Sequence, residues 1–236
     1  MFKRVLLGST LLGLLLAVAP AEAQSGYRSA GGNNQLRARI GNFEPDGESE
    51  YWEDKFFDFT GSTESFEDVV VGIDFIHNLG PRFGVMLSSS GYETDTRQAY
   101  RDFEDFDGRD ISHRTTFELA TASIGLVWQL AGRTASIQPY IGAGGSYYDW
   151  TLEESGDFID FDTRDLIVFT DTFFDDGTAF GSYFLAGLNI PLGDTISVFA
   201  EGRWDSASDD LSDDFEGLGE IDLGGMQISA GLAWSF

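Results

Sequence analysis

The chain has 236 residues, with 40 acidic and 14 basic side chains, a formal charge of -26 and no cysteine. That balance argues against a nucleic-acid binder, which needs clustered positive charge to meet phosphate, and the missing cysteines remove disulfides, thiolate metal sites and thiol nucleophiles. An apolar content of 42% with 14% aromatics is too high for a disordered acidic chain.

The first element is an export signal. Lys3 and Arg4 precede an apolar stretch from Val5 to Ala19, Pro20 ends it, and Ala21-Glu22-Ala23 puts small residues where signal peptidase cuts. The expectation is a cleaved signal over 1–23, a short periplasmic segment over 24–34 and a barrel domain over 35–236. The apolar run is short for a membrane anchor of roughly 20 residues, and no later segment supplies such a helix.

From residue 35 onward the chain alternates at period two. Leu36, Ala38 and Ile40 share one face, opposite Arg37, Arg39 and Gly41. Val69, Val71, Ile73 and Phe75 oppose Val70, Gly72, Asp74 and Ile76. This is a strand period, not the 3.6-residue period of a helix. Strands are expected over 35–43, 66–76, 83–92, 115–129, 135–150, 180–190, 195–204 and 222–236. Their lengths suit tilted membrane-crossing strands of roughly 9–11 residues.

Short and long connectors alternate between them. The short ones each contain glycine, as a tight reversal favours; the long ones run 44–65, 93–114, 151–179 and 205–221. With the last extended through Asp222 and Arg114 left to its strand, the long segments hold 32 acidic and five basic residues. Short turns on one side and long loops on the other predict an all-β, eight-stranded, antiparallel up-and-down transmembrane barrel with four long extracellular loops and both termini periplasmic. Asp165 to Thr170 makes a ten-stranded reading tempting, but its partner crossing would use the charge-dense Glu153 to Asp157. An extension of the sixth strand above the membrane, or a small hairpin there, fits better.

The inward faces carry Arg37, Arg39, Asp74, Gln138, Tyr140, Glu201, Arg203 and Gln227, with glycines at 72, 84, 142, 144, 187 and 231 leaving room for larger neighbours. Arg37, Arg39, Asp74, Tyr140, Glu201 and Arg203 form a candidate lumen network, since confined charges must pair; Arg203 is a candidate partner for Glu201. In an eight-stranded barrel, side chains can fill the interior, so a plug is expected over a gated solute path.

The last strand places Met226, Ile228, Ala230, Leu232, Trp234 and Phe236 on one apolar face, and the chain ends on that aromatic residue. The signal, the eight crossings, the long loops and Trp234-Ser235-Phe236 resemble the small outer-membrane β-barrel family of Gram-negative bacteria, with its opacity-like, OmpA-type and OmpW-type members. Gln138 to Gly144 also looks like that family's fifth-strand segment. The resemblance implies a cell outer-membrane location and an assembly signal at Leu232, Trp234 and Phe236, read by the barrel-assembly machinery.

Motifs for chemistry are sparse. The sequence lacks the G-x-S-x-G, H-E-x-x-H and G-x-x-x-x-G-K patterns. Ser112-His113 and Glu118 invite comparison with barrel lipid A deacylases, but adjacent strand residues face opposite ways, so His113 is expected as a rim histidine. The acidic loops suit weak Ca²⁺ or Mg²⁺ association. The Asp102–Gly108 run lacks calcium-loop spacing, and no cofactor is expected. Loop aromatics, among them Tyr51, Trp52, Phe56, Phe57 and Phe59, suit either loop packing or an unknown extracellular partner. The expected function is a non-enzymatic, monomeric barrel in contact with outer-membrane lipids and lipopolysaccharide, serving envelope integrity or surface interaction. A narrow porin or small-apolar-ligand conduit is the alternative, and a rim enzyme acting on lipid is a third reading.

Overall fold

A computed structural model describes residues 32–131, 135–161 and 167–236. The expected signal over 1–23 and nearly all of the short segment after it lie outside the described residues, so the domain boundary at 35 is met only from its barrel side.

Eight strands close a barrel. They are β1 (Asn34–Pro45), β2 (Asp68–Asn78), β3 (Phe83–Glu104), β4 (Asp110–Gln129), β5 (Gln138–Asp160), β6 (Ile167–Pro191), β7 (Ile196–Ser206) and, after a small hairpin of β8 (Ser208–Asp210) and β9 (Glu220–Asp222), β10 (Gly225–Ser235). Neighbours in sequence pair antiparallel around the ring, and β1 closes it against β10. At the seam, Asn34 and Phe236 exchange backbone hydrogen bonds of 3.0 and 2.9 Å. The ring itself leaves no edge open, which removes the unpaired backbone groups that lipid cannot satisfy.

The side chains are distributed inside out. Ile40, Leu126, Ile228 and Leu232 point outward and are about 60% exposed, while Arg37, Asp74, Glu201 and Arg203 are buried inside. In water, an apolar belt around a charged core would be the wrong way round; with lipid as the solvent it is the stable arrangement. On β4 the outward series Trp128, Leu126, Ile124, Ala122 and Ala120 ends at Glu118, and on β5 Ile141, Ala143, Gly145 and Tyr147 end at Asp149. Those carboxylates mark the upper edge of the belt.

Two expectations about the long segments need correction. The second and third are not loops for most of their length. β3 and β4 stay paired from Phe83/Trp128 to Ala99/Ser112, and β5 and β6 from Gln138/Asn189 to Asp160/Ile167. A 23-residue strand such as β5 is about twice what a tilted crossing needs. The upper half continues as a ribbon above the belt, so the sixth strand is extended as the charge pattern required, and the crossings number eight. Second, the first long segment contains a helix, α1 (Glu50–Asp58), and a 3₁₀ turn over Thr63–Phe66. Glu50 and Glu53 lie in the helix's first turn, where the macrodipole favours negative charge. Tyr51, Trp52 and Lys55 fall on one buried stripe.

The helix, the 3₁₀ turn and the β8–β9 hairpin fold over the barrel mouth as a lid. Trp52, Phe66, Phe117, Leu152, Ile221 and Leu223 are fully buried in one cluster with Trp150 and Phe215. Polar contacts stitch the lid down: Trp52 Nε1 donates to the Asp222 carbonyl at 3.3 Å, Asp222 N to Ser49 Oγ at 3.1 Å, and Tyr92 Oη to the Phe66 carbonyl. Ser212 donates through both N and Oγ to Asp175 of β6, at 2.7 and 2.9 Å.

Candidate functional site

The lumen and its lid hold every buried charge cluster among the described residues, so the candidate site is built here from the lower end upward. At the short-turn end a cavity of about 490 Å³ is lined by amides and hydroxyls, among them Gln35, Asn78, Gln129, Gln138, Asn189 and Ser197. Asn189 Nδ2 donates to Gln138 Oε1 at 2.9 Å. Above it, Ile76, Met86, Val127, Tyr140, Tyr183 and Leu185 form an apolar layer.

The charged layer lies above these. Arg37 and Asp74 sit directly opposite on β1 and β2, with Arg37 Nε 3.2 Å from Asp74 Oδ2. The same guanidinium reaches past β10 to Glu201 Oε2 of β7 at 2.8 Å, and Tyr140 Oη donates to that oxygen at 2.9 Å. Arg39 Nε is 3.3 Å from Asp74 Oδ1, which also accepts from Ser88 Oγ at 2.6 Å. Arg37 lies over the Phe199 ring at 3.7 Å. All six of the lumen residues expected from alternation are therefore buried inside.

Their pairing differs from expectation in one respect: Arg203 is not the partner of Glu201. It turns up the barrel to Asp205, with contacts of 2.7 and 2.8 Å, and donates to Ser123 and Ser146, each at 2.9 Å. Its guanidinium covers the Tyr183 ring at 4.0 Å. Glu201 and Asp205 both lie two residues from Arg203 on the same strand face; Glu201 is already engaged by Arg37 and Tyr140, which leaves Asp205 to Arg203.

Inward glycines make this density possible. Gly72 is opposite Arg39 in the register, and a Cβ there would come within 2.7 Å of Arg39 Nε. Gly187 lies between Tyr140 and Glu201 on its two neighbouring strands, and a Cβ would come within 2.5 Å of the Tyr140 ring. The phenol crosses the gap left by that glycine to reach the carboxylate.

A second buried charge cluster, which sequence reasoning missed, lies above the belt in the lid. Lys55 of α1 pairs with Glu154 of β5, and Tyr51 Oη donates to the same carboxylate oxygen at 2.7 Å. His113 Nε2 is 3.3 Å from Lys55 Nζ and 3.6 Å from Glu154 Oε2. His113 is thus not on the rim; it is 1% exposed, because the ribbon of β4 carries it inside and α1 covers it. Burial pulls its pKa down to about 4, with Lys55 adding to the effect and Glu154 opposing it. Burial alone would raise Glu154, but Lys55 and His113 hold it below the usual carboxylate range. Burial draws Lys55 below its ordinary value against the pull of Glu154, and drives Tyr51 well up, with Glu154 adding to that rise. The only local signal was a lysine and a glutamate on faces otherwise apolar.

Leu232 and Trp234 of the expected assembly signal point outward on β10, and the Trp234 and Phe236 rings lie 5.2 Å apart. Ser112 Oγ faces away from His113 and accepts from Arg97 at 2.7 and 3.1 Å. Asp105 Oδ1 accepts from the Asp107 and Arg109 amides at 2.8 and 2.9 Å, so it closes the β3–β4 turn. Of the loop aromatics, Tyr51 and Trp52 are core and Phe57 is exposed.

No protein-family model matches the chain, and no curated protein matches it. Among solved structures it is similar to the outer membrane protein OprG from Pseudomonas aeruginosa, at 13% identity and TM-score 0.53, covering 89% of this chain and 99% of that one. It is also similar to Neisserial surface protein A, at 12% identity and TM-score 0.51, covering 86% and 97%. The chain has the fold of the small eight-stranded outer-membrane β-barrels.

Proposed function

We propose that this chain is a closed, non-enzymatic outer-membrane barrel that reinforces the envelope and carries a rigid acidic surface structure outside the cell. The observation that carries this reading is the filled path. Amides, an apolar layer, the Arg37–Asp74–Glu201–Arg39 network, the Arg203–Asp205 layer and the aromatic lid succeed one another from end to end. A solute would have to displace paired, desolvated charges, and breaking a buried pair costs several kcal/mol.

The apolar belt supports insertion among outer-membrane lipids, with the ribbons and lid reaching the lipopolysaccharide and both termini on the short-turn side. The Leu232, Trp234 and Phe236 face supports recognition by the barrel-assembly machinery, and the Val5–Ala19 run supports export with cleavage after Ala23. A non-catalytic role is supported by His113, which is sealed under α1, and by Ser112, which is engaged by Arg97. The acidic ribbons favour loose association with divalent cations.

The test is conductance across a planar lipid bilayer at neutral pH. A closed barrel gives no sustained single-channel current, and removing residues 46–66 leaves it non-conducting because the charged layers remain. Steady channels from the intact protein would replace this reading with the conduit.

A further inference from the structure

The closed barrel has no need of a histidine under its lid, yet His113 is held there with care. Its ring stacks on Phe158, with centroids 5.0 Å apart at 22°, and meets Phe59 edge-on at 4.5 Å. The titratable groups around it come from three elements: Lys55 and Tyr51 from α1, Glu154 from β5, and Tyr100 from β3, whose ring packs on Phe59. Nδ1 has no hydrogen-bond partner among the described residues.

This setting accepts only the neutral imidazole. Nε2 can accept a hydrogen bond from the Lys55 ammonium at 3.3 Å. A protonated ring would instead aim an N–H at that ammonium, setting two cations against the single Glu154 carboxylate, and would leave Nδ1–H buried with no acceptor. Burying an unpaired charge is costly. Relief requires moving Lys55, and Lys55 cannot move without α1, whose Trp52 fills the same mouth. The helix is joined to the barrel through Gly47 on one side and Gly61, at φ +110°, on the other.

We propose that α1 is a proton-released latch: acid protonates His113, expels Lys55 and its helix from the barrel mouth, and uncovers the upper lumen while the membrane-spanning strands stay paired. The inference rests on the closed mouth described above, and the two fail separately. Conductance at neutral pH tests the closure, whereas exchange of the helix against pH tests the trigger.

Linkage gives the sign and the window. A base with a depressed pKa in the closed state favours closure fully above its ordinary value of 6.5, and loses that contribution as pH falls toward about 4. The open population therefore rises about tenfold per pH unit through this window, and roughly 300-fold across it. The only other histidine, His77, sits at the opposite end, where its Nδ1 is 2.8 Å from Asn34 Oδ1. One carboxyl of the lid works against the latch: burial raises Asp222, with Asp46, Glu220 and Glu48 adding to it, so acid favours its closed form.

Hydrogen exchange with mass spectrometry on the detergent-solubilised full chain, from pH 7.5 to 4.5 and corrected for intrinsic rates, measures the latch. In the parent, peptides spanning α1 lose protection about tenfold per unit below pH 6, while β1, β7 and β10 stay protected. In His113→Gln the α1 protection is flat to pH 5. His113→Phe, which keeps the aromatic stack, gives the same flat profile should the glutamine variant fold poorly. Protection of α1 that is independent of pH in the parent overturns the proposal. So does an equal acid release in both variants, which would assign the opening to carboxylates.

Discussion

At the scale of single residues, the lumen network makes specific demands. Glu201 accepts from both Arg37 and Tyr140, so Glu201→Ala leaves a buried guanidinium short of its carboxylate. The expected loss is about 3–5 kcal/mol, read as a lower urea midpoint for the folded barrel in detergent. Adding Arg37→Met should restore part of that loss, whereas adding Arg203→Met should not, because Arg203 answers to Asp205. Rescue by the Arg203 change would contradict the pairing. Trp52 is fully buried in the lid, and Trp52→Ala should weaken the closed lid by about 3–5 kcal/mol. Lys55 is 4% exposed, which makes tryptic cleavage after it a direct readout: slow in the parent, fast in the variant, with the barrel left intact.

At the scale of elements, the parts legible in the sequence are those where lipid dictates the outward face. β1, β2 and β10 agree with the alternation read from Leu36–Ile40, Val69–Phe75 and Met226–Trp234, and β7 with the inward placing of Glu201 and Arg203. Where the strands rise above the belt, the outward residues turn to Glu118, Asp149 and Glu153, while Phe117, Leu119, Trp150 and Leu152 still point in. Beyond them, over much of 93–114 and 151–179, period two persisted, but charge made it look like loop. Glu154 broke the inward pattern because its partner, Lys55, lies in another segment altogether. The nine residues of α1 are too few to form a helix unaided; contact with the mouth stabilises them. The β10 seam carries a prediction of its own. Deleting Phe236 removes the backbone pair with Asn34, and Trp234→Asp places charge on the lipid face; both should lower the yield of heat-modifiable folded protein. Unchanged assembly of both variants would count against the role given to this strand.

At the scale of the whole molecule, the charge is divided: paired inside the barrel and piled up outside it, for the long segments hold 32 acidic residues against five basic ones and only a few of these, such as Lys55, Glu154, Asp175 and Asp205, are buried. Millimolar Ca²⁺ or Mg²⁺ should therefore slow protease cleavage in 44–67 and 205–224 more than monovalent salt of matched ionic strength does. The β3–β4 and β5–β6 ribbons, already paired, should change little. Identical cleavage maps would leave a merely hydrated acidic surface. The central claim is that the apolar belt lies in the outer membrane with the ribbons outside. The chain contains no cysteine, so single introduced cysteines can report this in intact cells with a membrane-impermeant maleimide. Phe106→Cys, at the tip of the β3–β4 ribbon where the side chain is 98% exposed, should label readily. Ile124→Cys in the belt and Leu192→Cys in a short turn should label only after the membrane is dissolved or opened. Labelling of Leu192→Cys with protection of Phe106→Cys would turn the barrel upside down, and equal labelling of all three in cells would remove it from the membrane.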